Sequence, residues 1–566
     1  MEQVHESKYS VDIPVVDLAT FVFSFPIRTR SQPQYFDADN PSTNFSLEQA
    51  EKWVKRWAKG LQDLGLRPND KVLLYSGNSL YFPVLFWGTL ASGGVFTGCS
   101  PTSSVSELSY QLRDSDATIL LADPACLKTA IQAAGEVGLS RTRVFVFTSL
   151  GDTRSYPVRR WTDLWASEDE VCGWEWRTFS TRKQAQSATA VINYSSGTTG
   201  VPKGVEISHY NIVSNSTQVI FKRNMVAETD SGRARKKRIN LSGERWLAPL
   251  PMFHAYGQAY YCTTAAVSGC KVFIMPKYNL EKYLLYLDIY RITFLTGVPT
   301  LLVSLAKHKR ASCYNLKAIE SVVSGSAPLS PEIGKLVQET HLQPGVQVKQ
   351  GWGLTETTCS ATGFAQDDDD DGRSIGWLNP NMRAKVVPVT ENGYENQENI
   401  PYTVGEIWIS GPNVMMGYYK RPVETADCII LEGGHRWFKT GDIGYADSRG
   451  RFYIVDRLKE LIKVKGLQVA PAEIEQTLLT HPDIKDAAVV GVKESNGEHP
   501  KAFVVLENPS HQMTELEVQR YVADRLSRHK WLTAGVEFTD AIPRTASGKV
   551  MRRLLAKRET EARAKL

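Results

Sequence analysis

Residues 195–204 read Ser195-Ser196-Gly197-Thr198-Thr199-Gly200-Val201-Pro202-Lys203-Gly204, a hydroxyl- and glycine-rich run closed by a lysine. Gly197 and Gly200 let the backbone approach an anion with its N–H groups turned inward. The serine and threonine hydroxyls and the Lys203 ammonium add donors and one positive charge, so polyphosphate is the ligand such a run suits best. It is not the commoner phosphate loop: the Gly-x4-Gly-Lys-Ser/Thr spacing is absent, and Pro202 stands where the second glycine would fall. A flexible Gly/Ser linker has a similar composition, but the flanks here are structured.

Those flanks are the elements that must hold the loop. Ala190-Val191-Ile192 reads as a buried strand entering it, and Ser208 as the N-cap of a helix carrying Ile212, Val213, Val219 and Ile220. Further upstream, strand-like runs at 71–75, 117–121 and 143–147 alternate with helical segments such as 47–64, the pattern of layered α/β folds. Residues 81–96 are nearly apolar, but too short for a membrane span and interrupted by Pro83, Gly88, Ser92, Gly93 and Gly94. A buried helix and turn is expected there, and no transmembrane segment. The strand-like 451–455 ends in the charged Asp456-Arg457-Leu458-Lys459-Glu460, which marks a boundary between domains 1–456 and 457–566. The second is a small α+β unit: a strand at 461–464, a helix opened by Pro471, strands at 487–492 and 503–506, and a helix at 516–526.

With 566 residues, 42% of them hydrophobic, the chain has sequence for two or more packed cores. Its start lacks the basic flank and apolar core of a secretory signal. The cysteines are scattered without a Cys-x2-Cys pair, which argues for reduced thiols and against zinc. A net charge of +5 spread over this length does not indicate a nucleic-acid partner. The basic run Arg233-Ala234-Arg235-Lys236-Lys237-Arg238 lies in a polar insertion, 224–243, and reads as a solvated loop; Asp367 to Asp371 read as a mobile acidic loop rather than a metal site.

Further segments follow the decamer along the chain: Pro251-Met252-Phe253-His254-Ala255-Tyr256-Gly257, Gln350-Gly351-Trp352-Gly353-Leu354-Thr355-Glu356, Lys439-Thr440-Gly441-Asp442, Asp456-Arg457-Leu458-Lys459-Glu460-Leu461-Ile462-Lys463 and Pro543-Arg544-Thr545-Ala546-Ser547-Gly548-Lys549. Together they span most of the chain and resemble the adenylate-forming superfamily, most nearly its 4-coumarate:CoA ligase-like branch. The resemblance implies an α/β fold. A large N-terminal domain combines layered α/β sheets with a distorted β-barrel, and a small, mobile α+β C-terminal domain follows. It also implies an ATP- and Mg2+-dependent acid:CoA ligase. A hydrophobic carboxylic acid, aryl or of medium to long chain, becomes an acyl-AMP with loss of pyrophosphate and then a CoA thioester.

The resemblance also assigns roles. Ser195, Ser196, Gly197, Thr198, Thr199, Gly200 and Lys203 would hold the phosphates, with Thr355 beside them and Glu356 as the Mg2+ ligand. Gln350 and Gly351 would be nucleotide contacts and Trp352 would stack on the adenine, while Asp442 and Arg457 hold the ribose. Lys549 would bridge the substrate carboxylate and the α-phosphate; one ion pair at ~4 Å and an effective dielectric of ~20 is worth about 4 kcal/mol. His254 would sit at the carboxylate end of the acyl pocket and gate thiol entry, with Tyr256, Gly325 and Ala327 lining that pocket and Tyr260 and Tyr261 completing its rim. Lys463, with the Lys465-Gly466 turn at CoA, would serve thioester formation after the small domain rotates about Lys459.

Departures from the family pattern fall at Val464, where many relatives have an aromatic, and at the polar Gly497-Glu498-His499-Pro500-Lys501; both touch the CoA contacts. The last residues, Ala564-Lys565-Leu566, resemble the Ser-Lys-Leu peroxisomal address, implying an import receptor as partner and a peroxisomal enzyme. A luciferase-like monooxygenase would share the adenylation half. A stand-alone adenylation enzyme would need a carrier protein to load.

Overall fold

The computed structural model describes residues 3–24, 30–195, 201–225, 229–308, 310–389, 401–464, 467–494, 497–508, 513–545 and 548–563. Helix Leu47–Asp63 starts at Ser46 and Gln49, which form a capping box, and buries Ala50, Val54, Trp57, Ala58 and Leu61 at helical spacing. That face meets helix Phe82–Ala91, in which every residue is buried. The apolar run 81–96 is thus this helix, a turn and the start of strand Val95–Cys99. Gly88 permits the contact, since a Cβ there would lie 2.5 Å from Trp57 Cδ1.

Two seven-stranded sheets form the large unit. In the first, Lys71–Tyr75, Val95–Cys99, Ala117–Ala122 and Val144–Val146 run parallel. Their near-continuous apolar sequences suit strands buried on both faces. Thr189–Ser195 joins them in parallel and is then paired antiparallel with Lys203–Ser208, Ser195 lying opposite Lys203. This returning strand is absent from the sequence reading, which passed from the loop to the helix. The helix itself, His209–Asn224, does begin at Ser208, boxed with Asn211.

The second sheet aligns Pro33–Asp37, Lys271–Ile274, Arg245–Ala248, Phe294–Gly297, Ser321–Ser324 and Val348–Gln350 in parallel. Beside it the basic insertion departs from expectation. Residues Asp230–Ser242 form a helix, not a solvated loop. Arg235 donates to Asp367 Oδ1 at 2.6 Å and Arg238 pairs with Glu320. The acidic run is pinned too, with Asp368 accepting from Trp377 Nε1 at 2.8 Å and from Ala365 N at 2.7 Å. Two segments that looked separately solvated are joined by the Arg235–Asp367 pair.

A six-stranded antiparallel half-barrel completes the large unit, built on Arg383–Val387, Gly405–Ser410, His435–Ala446 and Phe452–Arg457. Arg457 pairs in register with Asp442, so the strand continues past 456 and the chain leaves this sheet in the turn at 458–460. Charge made the strand end look like a linker. Beyond it stand the hairpin Ile462–Val464 and Leu467–Val469, helix Pro471–Leu479, and a sheet of Ile484–Glu494, Gly497–Leu506 and Val536–Phe538. This unit has its own cores, one around Ile474, Leu478, Val489 and Val504 and one around Phe503, Ile542 and Leu555. No described helix is long and apolar enough to cross a membrane.

Candidate active site

Strands Phe294–Gly297, Ser321–Ser324 and Val348–Gln350 end side by side, and open parallel sheets bind ligands in the crevice outside such carboxyl ends. The loop leaving Gln350 folds back tightly. A Cβ on Gly353 would sit 1.8 Å from the Cys359 carbonyl oxygen, so only glycine fits. The short helix Thr355–Thr357 then brings Glu356, 7% exposed, to the decamer. Ser195 Oγ donates to Glu356 Oε1 at 3.0 Å, and Tyr418 OH donates to the same oxygen at 3.0 Å. Lys203 Nζ lies 5.1 Å from the Tyr418 ring centre. Both ends of the glycine-rich run therefore converge on Glu356, with half-buried Thr355 next to it. Ser196, Gly197, Thr198, Thr199 and Gly200 lie outside the described residues. Tyr418 was not foreseen: it reaches the site because Gly417–Tyr418 pairs with Lys203–Ser208, a pairing no local pattern announces. Burial, reinforced by Glu356, raises the Tyr418 pKa and keeps the phenol a donor.

Asp442, 3% exposed, marks the other end of the cleft. Its Oδ1 lies 2.9 Å from Arg457 Nε, and its Oδ2 accepts from Trp352 Nε1 at 2.8 Å. The Arg457 pKa is raised, chiefly by Asp442. Trp352, expected only as a stacking platform, is thus also a donor to the expected ribose carboxylate. Gln350 differs from expectation as well. Its buried amide accepts from Leu329 N at 2.8 Å and donates to Gly372 O at 2.9 Å, so the side chain braces the segment after the 325–328 loop and the end of the acidic run. Gly351 is the half-buried position next to it.

Lys549 enters the same cleft from the small unit. Arg544 shapes its loop, donating to Gly548 O at 2.7 Å and pairing with Asp486 at 2.7 Å. Lys549 N donates to Thr545 Oγ1 at 3.1 Å. Gly548 has φ +84° and lies against the large unit: a Cβ there would stand 3.4 Å from Thr300 Oγ1 and from Val298 Cγ2. Lys549 Nζ is 3.6 Å from Glu460, and its charge is felt by Asp442 and Arg457. Burial, then Arg457, lowers its pKa, while Glu460 and Asp442 oppose that. Lys307 adds a second tie, its Nζ donating to the carbonyl oxygens of His481 and Ile484. Lys463 is elsewhere, exposed on the strand Ile462–Val464, and exposed Lys459 lies in the turn between the units. Lys465 and Gly466 are outside the described residues.

The acyl-pocket candidates gather around Tyr256. Its ring would come within 3.3 Å of a Cβ on Gly325, and its buried hydroxyl has no hydrogen-bond partner among the described residues. Ala327 is half-buried in the loop beyond Gly325. His254 caps the short helix Ala255–Gly257, Nδ1 accepting from Tyr256 N at 3.3 Å. Burial lowers the His254 pKa to about 4, so the ring is neutral at pH 7. Tyr260 packs on Tyr256 with ring centres 4.9 Å apart. Tyr261 is not a rim residue: it is fully buried and hydrogen-bonded to Thr296.

A layered α/β large unit, a half-barrel and a small unit presenting a lysine to a carboxylate-lined cleft define a nucleotide-activating enzyme. Residues 28–419 match the AMP-binding enzyme family and residues 473–549 its C-terminal domain, and the chain belongs to that family, among its acyl-CoA ligases. It is 35% identical to a phenylacetyl-CoA ligase of Aspergillus niger, over 98% of both chains. It is 33% identical to a peroxisomal OPC-8:0-CoA ligase of Arabidopsis thaliana, over 96% of this chain and 93% of the other. Among solved structures, ATP-bound MatB from Rhodopseudomonas palustris superimposes with a TM-score of 0.78 at 26% identity, covering 96% of this chain and 98% of that one.

Proposed function

We propose that the described cleft carries the adenylation step of an ATP-dependent acid:CoA ligase acting on a hydrophobic carboxylic acid. In that reaction a carboxylate oxygen bonds to the α-phosphorus of ATP and pyrophosphate leaves. The CoA thiol sulfur then bonds to the acyl carbon of the acyl-AMP, its proton is lost, and AMP leaves. The observation that carries the reading is the docking of Gly548 on Val298 and Thr300, which holds Lys549 between Glu460 and the Asp442–Arg457 pair. Both reactants of the first step are anions, so an ammonium fixed between them offsets their repulsion where it is greatest.

In this reading Asp442 and Arg457 hold the ribose, Trp352 the adenine, and Ser195, Lys203 and Thr355 the phosphates. Glu356 suits Mg2+: Ser195 and Tyr418 both use Oε1, no described residue donates to Oε2, and one carboxylate plus substrate phosphates is a common Mg2+ set. When bound, the cation would neutralise phosphate charge. His254, neutral and half-buried beside Tyr256, is placed where the acyl carboxylate would lie. The units 1–457 and 458–566 would alternate about Lys459, bringing Lys463 and the Lys465-Gly466 turn to the cleft for CoA.

The test is thioester formation across a panel of cinnamic, phenylacetic, benzoic and C6 to C18 fatty acids, followed as AMP and CoA-thioester. No thioester from any acid, with ATP and Mg2+ present, would sink it. The terminal Ala564-Lys565-Leu566 supports peroxisomal import, as does the name of the Arabidopsis relative. A fluorescent protein fused ahead of the chain should enter peroxisomes and leave them when the tripeptide is deleted; a cytosolic fusion in import-competent cells refutes this.

A further inference from the structure

The glycine-rich run is held from outside by a helix that no motif marks. Helix Val105–Ser115 opens with a capping box of Ser104 and Glu107. Gln111 fastens it to strand Val95–Cys99, its Nε2 donating to Thr97 Oγ1 and to Gly98 O, each at 3.0 Å. Tyr110 and Asp114 stand four residues apart, hence on one face of this helix. That face meets both stems of the run. Tyr110 OH donates to Pro202 O at 2.8 Å, and Tyr194 OH donates to Asp114 Oδ2 at 2.8 Å.

The same two residues hold a third segment. Arg421 Nη2 donates to Asp114 Oδ1 at 2.7 Å and to Tyr110 OH at 3.3 Å, and Arg421 N donates to Tyr418 O at 3.0 Å. Tyr419 N donates to Gly204 O at 2.8 Å, which closes the ring of contacts. Each anchored segment continues directly into a residue of the Glu356 cluster: Tyr194 into Ser195, Pro202 into Lys203, and the turn at 419–421 back to Tyr418. Burial and the Asp114 charge raise the Tyr194 pKa, which keeps that phenol protonated and donating. Hydrogen bonds to a charged group are the stronger ones, so the half-buried Asp114 carboxylate is the joint on which the segments meet. Ordering a loop on binding opposes affinity, and a base fixed beforehand lessens that opposition.

We propose that Asp114, with Tyr110, is a positioning residue for nucleotide binding: by fixing Ser195, Lys203 and Tyr418 around Glu356 it sets the grip on the ATP phosphates. The inference rests on the acid:CoA ligase reading and adds residues that act from behind its cleft.

The experiment compares Asp114→Asn, Tyr110→Phe and Asp116→Asn with wild type, each as the full-length enzyme. Asp116 is the control. It follows the same helix and pairs with Lys420 and with Tyr419 OH at 2.9 Å, but among the described residues it bonds to neither stem of the run. Its φ of +53° is one that asparagine adopts readily. The measurements are the dissociation constant of ATP with Mg2+ by calorimetry, KM for ATP and for the acid in pyrophosphate release, and thioester formation from supplied acyl-AMP. Asp114→Asn should weaken ATP binding and raise its KM about fivefold or more, as lost bonds to a charged group would. KM for the acid and the thioester step should stay within about twofold, whereas a general loss of stability would lower both steps together. Tyr110→Phe should raise KM for ATP about two- to threefold, the effect of one neutral hydrogen bond, and Asp116→Asn should leave it unchanged. ATP affinity unchanged in folded Asp114→Asn, an equal rise in both KM values, or an Asp116→Asn effect as large as that of Asp114→Asn would each overturn the proposal. Should Asp114→Asn fail to fold, an unchanged KM for ATP in Tyr110→Phe overturns it. A wild type that binds ATP yet activates no acid would instead overturn the ligase reading, and the dissociation constants would still judge the clamp.

Discussion

The small unit carries two lysines in contrasting settings. Lys549 belongs to a loop locked by Arg544 and pressed on Val298 and Thr300, close to Glu460. Lys463 lies exposed on a two-stranded hairpin that meets its own unit, its backbone N–H donating to Glu498 at 2.9 Å. Reactive groups need both position and desolvation, and in this arrangement only one of the two has them. On the proposed reading the cleft takes one lysine at a time, and Lys463 would reach it by movement of the whole unit.

The sharpest way to break this contrast is Lys549→Ala. Acyl-AMP formation, read as pyrophosphate release, should fall at least about 100-fold, while supplied acyl-AMP plus CoA still gives thioester. Equal loss of both steps would erase the distinction. Lys463→Ala should invert the pattern, slowing thioester formation by about 10- to 100-fold with pyrophosphate release near normal. Trp352→Phe keeps an aromatic face but removes the Nε1 donor to Asp442; the KM for ATP should rise about 3- to 10-fold, as expected for one hydrogen bond to a charged acceptor. Unchanged KM would mean the bond opens when nucleotide binds.

Lys307→Ala removes the tie to the His481 and Ile484 carbonyls and loosens the pose that favours Lys549. Adenylation should drop about 2- to 5-fold, with faster proteolytic cutting near 458–460. The smallest effect is in pH dependence. In its proposed role Lys549 acts as a charged group, and its pKa lies below the ordinary 10.5, so the alkaline fall of kcat/KM for adenylation in the free enzyme should come below pH 10.5. A limb at or above 10.5 would place Lys549 outside the cleft. For His254, with a pKa near 4, no inflection is expected around pH 6.5 in either step.

Much of this was legible in the sequence because it is local. The helix beginning at Leu47, the capping residue Ser208, the buried strand around Val191 and the helix opened by Pro471 follow from nearest neighbours alone. What was missed is long-range. Tyr418 meets Glu356 through a strand pair joining residues more than two hundred apart in number, 205 and 418. The helix Asp230–Ser242 is poor in apolar residues, so its period gave no signal; ion pairs to Asp367 and Glu320 hold it in place. Gln350 was read as a nucleotide contact from a resembling motif, and its amide's bonds to backbone groups at Leu329 and Gly372 are long-range contacts that no local pattern announces.

The Lys307 contact has an architectural consequence. It addresses main-chain oxygens at His481 and Ile484, and every amino acid supplies a carbonyl there, proline included. Substitution at either acceptor position leaves the acceptor in place as long as the backbone path is kept. The joint is thus built to tolerate sequence drift on the small-unit side, and a small unit transplanted from a relative with the same backbone would find the same fastening.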